Sequence, residues 1–336
     1  MPDTSVRVDR VRTSFPIVFT RRYASDDPGL RGLYENAKRD QWDASVDLDW
    51  SLAVDPEAEN LPDAQIPIYG SPVWERLPKR ERRRARHEQM AWTLSQFLHG
   101  EQGALLATAQ LVGTVRDIDT KLYTATQVLD EARHVEACER YLRTKLERIY
   151  PIDRSLKALF DQILTDSRWD MKYLGMQILV EGLALAAFGF IRSFARDPLI
   201  RDLTSHIMRD ESRHVAFGVV SLRDFYRENF APSELRERQE FVYETCVLMH
   251  DRFLAREVWE RLDLPADECC RYALESTAMV DFRGMLFSKI LPNLKKLGLL
   301  DSWLRQRFAE VGLLKYEAFA LFDEDAREAW PPAAAS

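Results

Sequence analysis

From Pro78 onward the chain runs in long stretches free of proline and poor in glycine, with apolar residues returning at three- and four-residue steps. That spacing lays a continuous apolar stripe along one face of a helix. It predicts long helices over 79–113, 117–147, 168–196 and 199–229, with a shorter one over 154–166. Pro151, the Asp197-Pro198 pair and Pro232 separate them, because proline lacks an N–H and pushes the residue before it out of the helical region. Segments over 233–261, 265–290 and 302–314 carry the same periodicity. Residues 1–75 differ: Pro2, Pro16, Pro28, Pro56, Pro62, Pro67 and Pro72 interrupt short apolar pieces such as Phe15 to Phe19, which predicts an irregular arm packed on the core. The expected organisation is an arm over 1–75, a helical bundle over 76–230, and further C-terminal helices of the same domain over 231–336.

The polar positions on the predicted helices carry the chemistry. Of six histidines, His134 and His214 each follow a glutamate by three positions, within Asp130-Glu131-Ala132-Arg133-His134-Val135 and Asp210-Glu211-Ser212-Arg213-His214-Val215. Residues three apart share a helix face, so each pair can offer both side chains to one metal. Glu101 lies 30 residues before Glu131, and Glu181 lies 30 before Glu211; the second set follows the first by 80. This twofold repeat of a helix pair directs both halves toward one centre. Glu101 shares its face with Phe97, Leu98, Ala104 and Leu105, and Glu181 with Gln177, Ile178, Ala184, Leu185 and Phe188. A carboxylate on such a stripe needs a cation, and metal is the natural one.

The expected metal ligands are therefore Glu101, Glu131, His134, Glu181, Glu211 and His214. A carboxylate-rich set of this kind suits iron or manganese better than zinc. Asp130 and Asp210 are placed to accept the outer ring N–H of the histidines, with Arg133 and Arg213 pairing across the helices. Gln127 and Ile207, each four residues before a motif glutamate, make the first half-site the more polar. The expected pocket residues are Phe97, Gln127, Cys138, Gln177, Ala184, Leu185, Phe188 and Ile207. His87, His99, His206 and His250 read as surface or core, and Glu136 as an outer carboxylate.

Composition adjusts this picture only slightly. With 46% hydrophobic and 30% charged residues and only 13 glycines, the chain reads as globular and helical. A net charge of -7 with both signs interspersed gives no reason to expect nucleic acid as a partner. Charges run through the first twenty residues, where a signal peptide needs an apolar stretch, and Glu181 interrupts the longest apolar run, Ile178 to Phe190. Cys138, Cys246, Cys269 and Cys270 show no framework spacing. A cytoplasmic protein with reduced thiols and no membrane span is expected.

The paired motifs with their lone glutamates resemble the ferritin-like di-iron carboxylate superfamily over about residues 71–218. That superfamily includes multicomponent hydroxylases, acyl-carrier desaturases, p-aminobenzoate-type N-oxygenases and the radical-bearing subunit of ribonucleotide reductase. The resemblance implies an all-α, ferritin-like four-helix bundle with a di-metal centre. The reductase subunits place a tyrosine seven residues after the first motif glutamate, where this chain has Cys138, an arrangement similar to that of methane hydroxylases. The hydroxylases and desaturases place a threonine where Leu185 and Ala184 stand. Ser71-Pro72-Val73-Trp74 resembles the entry to the first ligand helix of the N-oxygenases, whose third histidine falls at Ile207.

What the resemblance implies is an O2-dependent oxidoreductase, most simply a monooxygenase, holding two Fe ions or a Mn/Fe pair. It would oxidise a small apolar or aromatic substrate by hydroxylation or N-oxygenation. An iron-binding protein without an organic substrate and a fatty-acyl desaturase-type oxidase are the alternatives. A reductase or ferredoxin would deliver electrons, and a homodimer is compatible with the family. The run Lys79 to Arg86 reads as a solvated helix start, or as a docking site for an acidic electron donor.

Overall fold

The computed structural model describes residues 9–25, 27–55 and 60–317. All regular structure among them is helical. The arm contains α1 (Pro28–Arg39), where Asp27 accepts the N–H groups of Gly29 and Leu30 and Pro28 opens the first turn. This helix departs from the irregular arm expected of residues 1–75: Leu30, Leu33, Tyr34 and Ala37, at i, i+3, i+4 and i+7, turn one face to the core, a single short helical period among the prolines. The short α2 (Pro72–Arg76) leads to α3 (Lys79–Thr114) and α4 (Ile118–Tyr141). A π-helical turn, Leu142–Leu146, closes α4 and ends at Glu147 in the left-handed region, φ 51°.

After α5 (Arg154–Thr165), α6 (Trp169–Tyr173) runs through a π-helical segment, Leu174–Val180, into α7 (Glu181–Phe194). α8 (Pro198–Asn229) follows a short loop capped by Asp197. Trp169–Phe194 is long and apolar enough to cross a membrane, yet 78% of its most apolar window is buried inside the protein. It is a core helix.

α3 packs on α4 and α7 on α8, while α4 against α8 and α3 against the π-helical segment close the four-helix bundle. The turns Val115–Asp117 and Ala195–Asp197 are short, so the helices of each pair run antiparallel. α1 lies across α4 and α8. The later helices are α9 (Pro232–Asp251), α10 (Arg256–Arg261), α11 (Ala266–Glu275), α12 (Thr277–Lys296) and α13 (Ser302–Glu310). Of these, α12 covers α7, and α9 covers α5 and the π-helical segment. One apolar core runs from Leu30 to Tyr316.

Two expected C-terminal helices are broken. The segment 233–261 bends after α9, where Phe253 takes φ -82°, ψ 19° and Ala255 a left-handed φ of 50°. The segment 265–290 breaks at Ser276, whose backbone is extended and whose hydroxyl accepts the N–H of Met279. Neither break carries proline or glycine, so the apolar period reads straight through both.

Candidate metal centre

Regular helix suffices to aim five of the six expected ligands: Glu101 from α3, Glu131 and His134 from α4, Glu211 and His214 from α8. Glu181 instead stands where the π-helical segment hands over to α7. The wider turn changes the helical register just before the ligand. Gly218 lets α8 approach this segment, since a Cβ there would lie 2.7 Å from that of Gln177. All six side chains are buried, Glu101 being the most exposed at 4%.

The structure brings the six together. Nδ1 of His134 lies 3.1 Å from Glu101 Oε2, 3.3 Å from Glu211 Oε1 and 3.5 Å from Glu131 Oε2. Nδ1 of His214 lies 3.2 Å from Glu131 Oε1, 3.6 Å from Glu211 Oε2 and 4.0 Å from Glu181 Oε2. Two overlapping ligand groups result, Glu101, Glu131, His134 and Glu211 in one and Glu131, Glu181 and His214 in the other. Glu131 belongs to both.

The outer ring nitrogens are held crosswise. His134 Nε2 donates to Asp210 Oδ2 at 3.1 Å, and His214 Nε2 donates to Asp130 Oδ2 at 3.2 Å. Each aspartate thus orients the histidine of the other motif, leaving both Nδ1 atoms turned toward the carboxylates. Arg133 bonds Asp130 on its own helix and reaches Asp210 at 3.5 Å; Arg213 bonds Asp210 and reaches Asp130 at 3.9 Å.

The arm completes this layer with two residues that no sequence pattern singles out. Trp42 Nε1 donates to Asp210 at 2.7 Å, its ring lying 22° from the His134 plane, and Gln41 Nε2 donates to Asp130 at 3.3 Å. On the opposite side Gln127 donates to Glu131 at 3.2 Å and to Glu181 at 2.9 Å. Gln177 Nε2 faces the Gln127 carbonyl at 3.5 Å.

Charge is badly balanced in this pocket without metal. Burial pushes the Glu101 carboxyl up to about 8, with His134 opposing and Glu211 and Glu131 adding repulsion. Burial, then the charges of Glu211 and Glu131, also raise Glu181 well above the usual range. Against burial, His214 and His134 hold Glu131 below it. Both imidazoles are raised despite burial, His134 through hydrogen bonds beginning with Asp210 and Glu101, His214 mainly through Glu211 and Glu131. Glu131 Oε2, Glu181 Oε2, both Glu211 oxygens and His214 Nδ1 are buried with no hydrogen-bond partner. Orphaned oxygens converging beside imidazole nitrogens fit a pair of divalent cations, the partners whose absence would make their burial so costly.

A cavity enclosing about 450 Å³ of space between atoms, its mouth included, reaches the glutamate side of this cluster. Glu101, Glu181 and Glu211 line it together with Phe97, Ala104, Met176, Ala184, Ala187, Met249 and Arg252. A second chamber of about 510 Å³ shares Phe97, Ala187 and Phe253 with the first. Of the expected pocket residues, Phe97 and Ala184 line the inner cavity. Phe188 stands behind Phe97, ring centres 4.6 Å apart. Gln127 and Gln177 lie among the ligands, while Cys138 and Ile207 are buried in the core. Leu185 is half-buried and outside the lining.

A family model described as p-aminobenzoate N-oxygenase AurF matches residues 26–298. The chain belongs to this family. It is accordingly a di-metal oxidoreductase of the oxygenase and oxidase type that acts with O2. Among solved structures it is similar to an R2-like ligand-binding oxidase with an aerobically reconstituted Mn/Fe cofactor, with TM-score 0.53 and 16% identity over 82% of this chain and 94% of that one. A tyrosine-to-phenylalanine mutant of such an oxidase, anaerobically reconstituted with Mn/Fe, gives 0.54 and 17% over 82% and 95%. At this identity the likeness shows the ferritin-like fold. No curated protein matches the chain.

Proposed function

We propose that this member of the N-oxygenase family oxidises a small apolar or aromatic molecule, by hydroxylation or N-oxygenation, in the cavity against Glu101, Glu181 and Glu211. The observation that carries the reading is the polarity of the centre: its histidines are backed by aspartates and arginines, whereas its glutamates border an apolar chamber. Glu101, Glu131, His134, Glu181, Glu211 and His214 would hold two iron ions, or a manganese and an iron, which supply the electrons that reduce dioxygen. Phe97, Ala184 and Ala187 give the glutamate side an apolar wall that excludes water. Gln127 fixes the orientation of Glu131 and Glu181, and the crossed aspartates fix that of the imidazoles.

Residues 76–230 are the catalytic bundle in this reading, with the arm and the later helices sealing it. The protein works in the cytoplasm with a reductase or ferredoxin as electron donor. At the arginine-rich start of α3, Arg82 donates to the Leu77 carbonyl, Arg84 pairs with Glu81 and Arg86 with Asp63. These local engagements favour a solvated helix start over a donor-docking patch.

The test is oxygen uptake by the reduced, metal-loaded protein with 4-aminobenzoate, aniline, toluene and octanoate. Stoichiometric consumption of dioxygen and one of these compounds, lost in Glu101→Ala, is expected. Uptake no faster than that of the variant would sink the reading. Accumulation of many irons per chain without substrate loss would favour an iron-binding protein instead.

A further inference from the structure

Two helices carry a line of side chains from the protein surface to the metal ligands. On α3, Thr93, Phe97 and Glu101 stand four residues apart; on α7, Glu181, Ala184, Ala187 and Ile191 stand three or four apart. At these spacings each set shares one helix face, over roughly 12–15 Å of axis. The two lines border both chambers in turn: Glu101, Glu181 and Ala184 the inner one, Thr93 and Ile191 the outer one, and Phe97 and Ala187 both. Phe253 closes the remaining side of this constriction. Phe97 is backed by Phe188 with ring centres 4.6 Å apart, and Phe253 by Phe282 at 5.1 Å. Between the two buttressed rings, Ala187 is the small side chain.

The body of the outer chamber is apolar, with Leu61, Met90, Ile191, Met279 and Phe282. Its polar side chains, Gln65, Gln89 and Thr93, mark the side toward solvent. Gln65 and Thr93 are partly exposed, and Gln89 donates to Thr93 at 3.3 Å while its own oxygen has no partner. Three larger grooves, along α5 and α9, against the arm and beside Trp169, share no residue with the inner cavity. A chamber wall without polar partners holds water poorly, and a small apolar molecule gains by leaving water for it. The free space in the outer chamber is well below what a benzene ring fills, whereas a diatomic gas fits. The chemistry of the family consumes such a gas.

We propose that the outer chamber is a dioxygen-binding station, from which the gas passes through the constriction of Phe97, Ala187 and Phe253 to the glutamate side of the metal centre. The station serves any reaction of the centre with dioxygen, whichever organic molecule is oxidised.

Two measurements test this. Crystals of the metal-loaded chain held under xenon, an apolar gas, should show xenon among Met90, Ile191 and Met279. Nitric oxide, a diatomic stand-in that binds ferrous iron without turnover, reports the passage: mixing it anaerobically with the diferrous protein gives an association rate from the optical change. Thr93→Trp fills the outer chamber from its partly exposed side, and Ala187→Leu fills the constriction. Each should slow association at least about tenfold at unchanged iron content, and Thr93→Val should keep the parent rate. An outer chamber without xenon, or parent rates in iron-loaded Thr93→Trp and Ala187→Leu, would overturn the proposal. Parent nitric oxide rates beside slowed toluene binding in Thr93→Trp would also overturn it and give the chamber to the organic substrate. Should either variant fail to fold, the other variant and the xenon site decide.

Discussion

Asp210 accepts the Nε2 proton of His134 at 3.1 Å, although the two residues belong to opposite halves of the repeat. The same carboxylate takes the indole N–H of Trp42 at 2.7 Å, and it is held below the usual range, against burial, by His134 first and Trp42 after it. Removing its charge should therefore act on the metal through the imidazole. Asp210→Asn is expected to weaken metal binding by about 10- to 100-fold. Trp42→Phe keeps the ring and removes one donor, so it should cost about 1–2 kcal/mol of stability with a smaller change in affinity. Competition with a chelator, alongside thermal melts, checks both; equal metal affinity in parent and Asp210→Asn would contradict the coupling.

Glu131 is shared by both ligand groups, whereas Glu101 and Glu181 each belong to one. Glu181→Gln and Glu101→Gln should each lower metal content toward one ion per chain, and Glu131→Gln should weaken both sites. Elemental analysis after dialysis reads the difference. Loss of both ions in Glu181→Gln would show that the two groups are not separable.

The metal-free protein should lose stability as pH rises. Glu101, raised from 4.5 to about 8, contributes stability that is whole below 4.5 and gone above about 8. Glu181 and both imidazoles are also raised, so their contributions are lost in the same direction. Glu131 and Asp210 are lowered, and what they contribute disappears only on acidification. Melting temperatures of chelator-treated protein should fall from about pH 6 to about pH 9, more steeply than those of loaded protein, because metal replaces the protons. A flat metal-free profile would contradict this charge distribution.

Ile207 occupies on α8 the position that Gln127 occupies on α4, and Gln127 reaches Glu131 and Glu181. By the symmetry of the repeat, a longer polar side chain at 207 would reach Glu211 and Glu101. Ile207→His should thus add an imidazole to one half-site and change the optical spectrum of the oxygenated protein. A folded, fully loaded variant with the parent spectrum would show that the position faces away.

The metal cluster could be anticipated because its geometry is local: three-residue spacing on a straight helix fixes which side chains share a face, and the repeat supplies the rest. Glu181 came from the same symmetry, although the π-helical turn before it leaves no trace in an apolar period. Residues farther from the ligands leave no such local signal. Gln41 and Trp42 meet Asp130 and Asp210 only through contacts spanning 89 and 168 residues, and nothing in an arm rich in proline marks them. Arg252 lies in a stretch whose apolar period runs unbroken, since the bend that brings it to the cavity contains neither proline nor glycine.

The crossed aspartate–histidine bonds mean that neither half of the repeat is a working unit by itself. A lone helix pair carrying Glu101, Glu131 and His134 would have no partner aspartate for its imidazole and too few carboxylates for two ions. Two copies face to face would supply both, each steadying the other's histidine. What a symmetric dimer would achieve by association, this chain achieves by covalent linkage, so its centre assembles without dependence on concentration.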